Sequence, residues 1–383
     1  MPAKVTIFQR IIPHYRKSFF DKLYLRLREN NIELRVIYGQ HQVGSVPEGG
    51  RYNEPWAIFS KNIYLSFFGK EFVLQTGFKL AKSTSDLIIV EQANRLILNY
   101  IIMLFKNFFK YSIGYWGHGR NYQSIKNGIS SRIKSILIGK ADWWFAYTQS
   151  GAIELEKHGF PSKKITIVQN SIDTTQLTAT FEEARDEHRD YLKAKLKIKS
   201  NNIGLFCGGF DKKKEIDFVL AACDSIKLSL TDFHMIFIGH GPGAEKVSSF
   251  AATRTWVSYL GKITSNERAQ YFHISKCLIM PGALGLVVID SFALRTPLIT
   301  SNLATHSPEF DYLENHENSH ITKFDINSYT KGVVSTLNNE KYLEKIKLGC
   351  DTATKLYTLP VMVERFANGV EQCLSTQRIK QTT

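Results

Sequence analysis

Four turns in the second half of the chain combine residue types that could hold a phosphate. Gly208-Gly209-Phe210-Asp211-Lys212-Lys213-Lys214 follows the apolar run Ile203–Cys207, and Gly239-His240-Gly241-Pro242-Gly243 follows His234–Ile238. Gly261-Lys262 follows Trp256–Leu260, and Pro281-Gly282-Ala283-Leu284-Gly285-Leu286 follows Cys277–Met280. Glycine lets backbone approach a ligand closely and adopt positive φ. Amide N–H groups at a helix start bind anions, helped by the helix dipole. Lys212–Lys214 add positive charge just past one such turn. A single glycine turn also serves as an ordinary chain reversal; four at successive strand ends point to a diphosphate cradle. No G-x-x-x-x-G-K-[ST] segment occurs and no G-x-G-x-x-G opens the first unit, which disfavours a P-loop nucleotidase and a dinucleotide oxidoreductase.

The elements that must position these turns alternate between strand and helix. In the first half, strands are expected at Val5–Gln9, Glu33–Tyr38, Asp86–Val90, Ser112–Trp116, Trp143–Tyr147 and Ile165–Gln169, with helices at Lys17–Glu29 and Ala152–His158. In the second half, strands are expected at the four runs named above and at Pro297–Thr300. Helices are expected at Glu215–Ser225, Glu267–Ile274 and Gly285–Leu294. Such alternation predicts parallel sheets covered on both faces. The charge-dense stretch Phe181–Ser200 separates the two sets. The expected organisation is therefore α/β: a first Rossmann-like domain at 1–175, a linker at 176–201 and a second Rossmann-like domain at 202–355. A C-terminal segment at 356–383 carries a helix, Val361–Leu374, expected to pack back on the first domain. In open parallel sheets ligands bind beyond the carboxyl ends of the strands, where these turns lie.

Composition narrows the partners. Of 383 residues, 43% are hydrophobic and 22% charged, ordinary for a globular chain, and the length suits two domains at about 150 residues each. The five cysteines are scattered without a C-x-x-C pair, which supports neither a disulfide framework nor a structural zinc site. The net charge is +14, which calls for an anionic partner: nucleic acid, a phosphate-bearing substrate or an anionic membrane face. Residues 1–175 hold 24 Lys and Arg against 12 Asp and Glu, a net of +12; the remainder is close to neutral. Aromatic-basic stacking motifs of an RNA-recognition module are absent, so nucleic acid is disfavoured. The start, Met1 to Phe8, lacks the apolar stretch of a secretory signal. The most apolar segment, Leu96 to Ile113, is interrupted by Asn99, Lys106, Asn107 and Lys110, and its apolar residues recur at helical spacing. It reads as an amphipathic helix whose apolar face either packs on a sheet or touches a membrane.

The run Pro281 to Ala293, followed by Thr296-Pro297-Leu298-Ile299-Thr300, resembles the donor-binding signature of glycosyltransferase family 4. Gly239-His240-Gly241-Pro242 is similar to that family's G-x-G-P turn, and Asn170-Ser171-Ile172-Asp173 to its N-G-I/V-D segment. Lys214 matches its diphosphate-binding lysine. Trp116-Gly117-His118-Gly119-Arg120-Asn121 and Pro13-His14-Tyr15-Arg16 look like elements of its first domain. The resemblance spans about residues 5–315 and implies the GT-B fold, two doubly wound domains facing a cleft, with retaining transfer from a nucleotide sugar. Two departures stand out. The family signature has two acids eight residues apart; here the second is Asp290 and the first position is Gly282. Where Gly-Arg is common, this chain has Gly208-Gly209.

The implied roles are specific. Lys214 neutralises the leaving diphosphate, with Lys213 and Gly208 close by, and Gly282, Gly285, Leu286 and Val287 line the donor with backbone. Asp290 accepts from ribose hydroxyls or is a surface helix acid. His118 touches the donor sugar or braces its glycine turn. Glu309 helps hold the donor or stabilises a helix start after Pro308. His14, Tyr15, Arg16, Arg120 and Asn121 are assigned to the acceptor or the membrane, within a basic patch of Arg10, Arg16, Lys17, Lys22, Arg26 and Arg28. The expected partners are a nucleoside-diphosphate sugar, a lipid-linked glycan acceptor and the anionic inner face of the plasma membrane, in cell-surface polysaccharide synthesis. No D-x-D motif is present near the strand-end turns, so no metal or other cofactor is expected. The alternative is a catalytically idle nucleotide-sugar-binding or scaffold protein, suggested by the missing acid at Gly282.

Overall fold

The computed structural model describes residues 2–42, 49–67, 69–119, 140–184 and 186–382. The chain forms two compact units, Met1–Ile172 with Leu359–Thr383, and Asp173–Thr358.

The first unit is built on seven parallel strands: β1 (Ala3–Gln9), β2 (Ile32–Tyr38), β3 (Ala57–Phe59), β6 (Leu87–Glu91), β7 (Ser112–Gly117), β8 (Trp143–Ala146) and β9 (Ile165–Ile167). Their order is β3-β2-β1-β6-β7-β8-β9, and an antiparallel hairpin of β4 (Asn62–Phe67) and β5 (Lys70–Gln75) lies outside this sheet. Alternating side chains give the sheet two buried faces. One face gathers Val5, Ile7, Val36, Ile89, Trp116 and Phe145 under the helix Lys17–Glu29 and the C-terminal helix Leu359–Thr382. The other gathers Phe8, Ile88, Val90, Ile113, Tyr115 and Trp144 under the helices Ile97–Phe109 and Gln149–Lys157. Phe19, Phe20, Leu23 and Leu27 recur at helical spacing, which is why Lys17–Glu29 forms and which face it buries.

The C-terminal helix belongs to this core. Phe366 stacks on Phe145 at 4.4 Å and meets Trp116 at 5.0 Å and Phe19 at 5.4 Å. At the rim, Arg26 pairs with Glu364 at 2.8 Å and Glu371 at 3.1 Å.

The second unit is a six-stranded parallel sheet of β10 (Asn202–Cys207), β11 (Phe233–Ile238), β12 (Val257–Tyr259), β13 (Cys277–Ile279), β14 (Leu298–Ser301) and β15 (Ser319–Thr322). Its order is β12-β11-β10-β13-β14-β15. The stretch 176–201, expected as a connector, instead carries the helices Thr175–Glu182 and Asp186–Lys195, and both pack on the helix Ser265–Ile274. Leu177, Leu192 and Ile198 are buried there. The charges that suggested a linker lie between these apolar anchors.

The expected amphipathic helix, Ile97–Phe109, has two characters. Leu98 and Ile102 are buried on the sheet, while Leu104 and Phe108 are exposed. Among the described residues no helix is long and apolar enough to cross a membrane.

Phe366→Ala should destabilise the first unit by about 3–5 kcal/mol, because it empties a fully enclosed aromatic site. Arg26→Gln, at a partly exposed ion pair, should change stability by less than about 1 kcal/mol. Urea unfolding followed by tryptophan fluorescence measures both. A Phe366→Ala effect no larger than that of Arg26→Gln would contradict the helix's place in the core.

Candidate active site

The strand order of the second unit reverses between β10 and β13. The chain runs outward through β11 and β12, then returns to the other side of β10. Loops diverge at such a switch point, and ligands of parallel sheets bind there. The two loops leaving it are the lysine turn after β10 and the Gly282 loop after β13.

Asp211 starts the lysine turn by accepting from the Lys213 amide at 3.0 Å. A 3-10 turn covers Lys212–Lys214, and Glu215 ends it in the left-handed region at φ 53°. The Gly282 loop is seated directly on this turn. A Cβ at Gly282 would lie 2.4 Å from the Lys214 carbonyl. The Ala283 amide donates to the Lys213 carbonyl at 2.9 Å, and the Lys214 ammonium donates back to the Ala283 carbonyl at 2.5 Å. Gly282 therefore has a packing cause. No side chain, and so no acid, fits between the loop and the lysine turn.

The next contacts fix the loop from its other side. The Leu284 amide donates to His306 Nδ1 at 3.2 Å, and His306 Nε2 lies 2.8 Å from the Ser301 carbonyl. Nδ1 accepts and Nε2 donates, so His306 is held as one neutral tautomer. Burial lowers its pKa, consistent with that state, and Lys214 adds to the lowering. The His306 ring stacks on Phe310 at 4.2 Å. Glu309 sits in the same 3-10 turn, Pro308–Tyr312, and is buried. Burial lowers the Lys214 pKa; the charges of Asp211 and Glu309 work in the opposite direction. The amides of Gly285, Leu286 and Val287 donate to no protein acceptor among the described residues, and all three residues are half-buried. Ala283 and Leu284 are thus committed to the scaffold, while the next three amides remain available at the switch point.

Asp290 is not the surface acid that its helix position allowed. It is 2% exposed and held by Arg268 of the helix Ser265–Ile274, through contacts of 3.1 and 3.0 Å. Burial pushes the Asp290 carboxyl up to about 6, against the pull of Arg268. The Cys207 thiol is close enough to feel both groups, and burial pushes it up to about 11. Any hydroxyl that Asp290 receives must share the carboxylate with Arg268.

The other glycine turns have structural reasons of their own. A Cβ at Gly239 would lie 1.8 Å from the Gly208 carbonyl. Gly208 donates to the Ile238 carbonyl at 3.0 Å, and Phe210 to that of His240, also at 3.0 Å. These turns brace one another beside the lysine turn. Lys212 and Lys213 are exposed.

In the first unit, His118 follows β7, is exposed, and lies 4.9 Å from the Tyr147 ring. The adjoining glycine turn is braced by Gln92, whose Oε1 accepts from the Gly119 amide at 2.8 Å. His14 and Tyr15 are exposed. Arg16 is a correction: it is 5% exposed, donates to Asn170 and lies over the Trp116 ring at 5.1 Å. It cannot reach a membrane from there. Lys17 pairs with Asp21 and Glu54, and Arg26 with the C-terminal helix, so the proposed patch loses three of its six cations to internal partners. A count of positive residues is blind to such pairing. Arg120 and Asn121 lie outside the described residues. Arg268, His306 and Gln92 were not assigned roles from sequence. Their only signal is spatial, since each acts on a partner at least 22 residues away.

Comparison with known proteins bears on the domain family and the fold. Residues 188–348 match the family described as glycosyl transferases group 1. No curated protein matches the chain. Among solved structures, Anabaena HepE in complex with UDP and glucose superposes with a TM-score of 0.65 at 12% identity, covering 96% of this chain and 99% of that one. Sucrose-phosphate synthase from Thermosynechococcus elongatus gives 0.69 at 14% identity, covering 98% and 100%. A glycosyltransferase from Rickettsia africae gives 0.67 at 14%, covering 97% and 99%. The fold is GT-B, with two Rossmann-like units, and the chain is a glycosyltransferase carrying a group 1 domain.

Two outcomes follow from the site. Gly282→Ala should lower stability by about 1–3 kcal/mol, since a methyl there overlaps fixed backbone; a thermal midpoint equal to wild type would contradict the contact. The Asp290 carboxyl holds its proton more tightly folded, at about 6, than at the ordinary 3.8. Its contribution to stability is therefore full below about pH 4 and is lost as pH rises toward 6. Asp290→Asn should flatten the pH dependence of the urea midpoint within that window. A midpoint that still falls as steeply there would contradict the assignment.

Proposed function

We propose that the chain is a retaining glycosyltransferase that moves a sugar from a nucleoside-diphosphate sugar to a hydroxyl of a lipid-linked glycan. The setting is cell-surface polysaccharide synthesis at the inner face of the plasma membrane. One observation carries the reading: the Lys214 ammonium is held at the switch point by the Gly282 loop, with buried Glu309 close enough to act on its charge and three half-buried amides next in sequence. In such a transfer the largest electrostatic need is the negative charge growing on the leaving diphosphate. Lys214 meets it, aided by the amides of Gly285, Leu286 and Val287. The charges of Glu309 and Asp211 favour the protonated lysine, while the Ala283 carbonyl orients it. The diphosphate leaves from the sugar face on which the acceptor hydroxyl attacks: the bond from the anomeric carbon to the phosphate oxygen breaks, the bond to the acceptor oxygen forms, and the leaving phosphate takes the acceptor proton. Arg268 and Asp290 together meet the ribose hydroxyls, so the pair replaces the lone acid suggested by the sequence. The protein supplies position and charge and needs no covalent nucleophile.

The resemblance to HepE, crystallised with UDP, makes UDP-sugars the first donors to try. Each UDP- or GDP-sugar is screened by thermal shift, because a ligand that binds only the folded state raises the midpoint. Nucleotide release is then followed for the sugar that binds. Lys214→Ala should lower kcat/KM by about 10²-fold or more, whereas exposed Lys213→Ala should change it by less than about 5-fold. Binding without turnover for every donor, with or without added glycolipid, would favour the idle scaffold.

A further inference from the structure

The helix Ile97–Phe109 and the hairpin β4–β5 leave a connected apolar surface uncovered. Tyr100, Leu104 and Phe108 succeed one another at four-residue spacing on the outer side of the helix, with Leu104 77% and Phe108 78% exposed. Phe105 extends the stripe, its ring tilted against that of Phe78 at 6.0 Å. Exposed Leu80 lies on the short helix that begins with Phe78. Exposed Phe67 of the hairpin lines a hollow with Lys70, Phe72 and Ile97. Single exposed apolar residues are ordinary, but a contiguous aromatic stripe marks an interaction surface. Its margin is cationic. Lys70, Lys79 and Lys110 are exposed, and Lys82 lies over the Phe109 ring at 5.0 Å.

We propose that this face is the membrane-docking surface, with the helix lying in the headgroup–acyl boundary of an anionic bilayer. A helix of 13 residues is about 20 Å long. Its outer residues are of the kind that bury about 5–10 Å into that boundary, while flanking lysines reach back to lipid phosphates. Charge selects the bilayer over a second copy of the chain. Pairing this face with itself would bring lysine margins together within a half of net charge +12, whereas an anionic leaflet attracts them. The location suits the purpose. The helix follows the carboxyl end of β6 and His118 follows that of β7, its parallel neighbour. The hairpin is tied to the same edge, where Asn62 donates to the Arg10 carbonyl at 2.7 Å and Gln75 to that of Gln9 at 2.9 Å. An acceptor anchored in the leaflet would be presented along that edge. The purpose rests on the lipid-linked acceptor; the docking itself does not.

The test is co-sedimentation of the full chain with vesicles of phosphatidylcholine alone or mixed with phosphatidylglycerol. Wild type should bind the anionic vesicles more strongly. The double variant Leu104→Ser/Phe108→Ser should reduce partitioning about 10-fold or more on either vesicle, in line with lost apolar insertion. Lys70→Gln/Lys79→Gln/Lys110→Gln should lower binding to anionic vesicles alone. Circular dichroism melting and the UDP-induced thermal shift should be unchanged in all variants. Vesicle binding that survives Leu104→Ser/Phe108→Ser, or wild type that binds neither vesicle, overturns the proposal. So does a dimer in sedimentation equilibrium that the double variant abolishes without any vesicle binding. Loss of vesicle binding as expected, with no UDP shift even in wild type, would leave the docking surface standing and reject the donor reading.

Discussion

The second unit depends on one close contact of backbone with backbone: the Gly282 loop resting on the carbonyl of Lys214. A Cβ at residue 282 would lie 2.4 Å from that carbonyl and 2.8 Å from the Lys214 Cα. Because glycine is there, the loop descends far enough for the Ala283 amide to bond Lys213 and for the Ala283 carbonyl to receive the Lys214 ammonium. The contact joins the ends of β10 and β13, the two strands that flank the reversal of strand order. Topology brings the loops together, glycine lets them touch, and the touch orients the lysine.

The surrounding groups read as supports for that contact. His306 holds the Leu284 amide from the opposite side, and its own second nitrogen is committed to the Ser301 carbonyl. Gly239 approaches the Gly208 carbonyl so closely that the neighbouring turns form one braced layer. Asp290 is buried against Arg268. A buried ion pair adds little net stability but fixes geometry, and breaking one partner leaves an uncompensated charge. Rigid loops matter because preorganised charge needs no rearrangement as the reaction proceeds. The first unit solves a different problem. Its sheet is sealed on both faces by helices, one of them supplied by the far end of the chain. Its surplus charge is partly neutralised internally, through Arg26 and Lys17, and partly displayed beside exposed aromatic side chains.

Much of the fold was legible in sequence because period and composition agree. The helix Lys17–Glu29 was expected at its observed bounds, since Phe19, Phe20, Leu23 and Leu27 mark one face. Strands β10, β11 and β13 are apolar runs ended by glycine or proline-glycine turns; they and β14, an apolar run after Pro297, each lie within about two residues of expectation. The hairpin β4–β5 was not expected. Its strands mix polar and aromatic residues without strict alternation, and only a few of those side chains are buried. The stretch 176–201 was hidden by charge, although Leu177 and Leu192 anchor it as helix. At the site, the lysine and the glycine loop could be read from type and spacing. The reason for Gly282 could not, because it is a contact with residues about 70 positions earlier. Arg268 escaped for the same reason, and Arg16 was misread because burial is a property of the fold rather than of charge.

Hydrogen exchange of the intact chain with and without UDP tests the central claim most directly, since it reads individual backbone segments at the switch point. If the lysine turn and the Gly282 loop form the diphosphate seat, UDP should slow exchange most in the segments containing Lys212–Lys214 and Gly285–Val287. The Pro308–Tyr312 turn should follow, with the strands of the first unit unchanged. UDP binding that leaves those segments unprotected, or protects another part of the chain more strongly, would contradict the account.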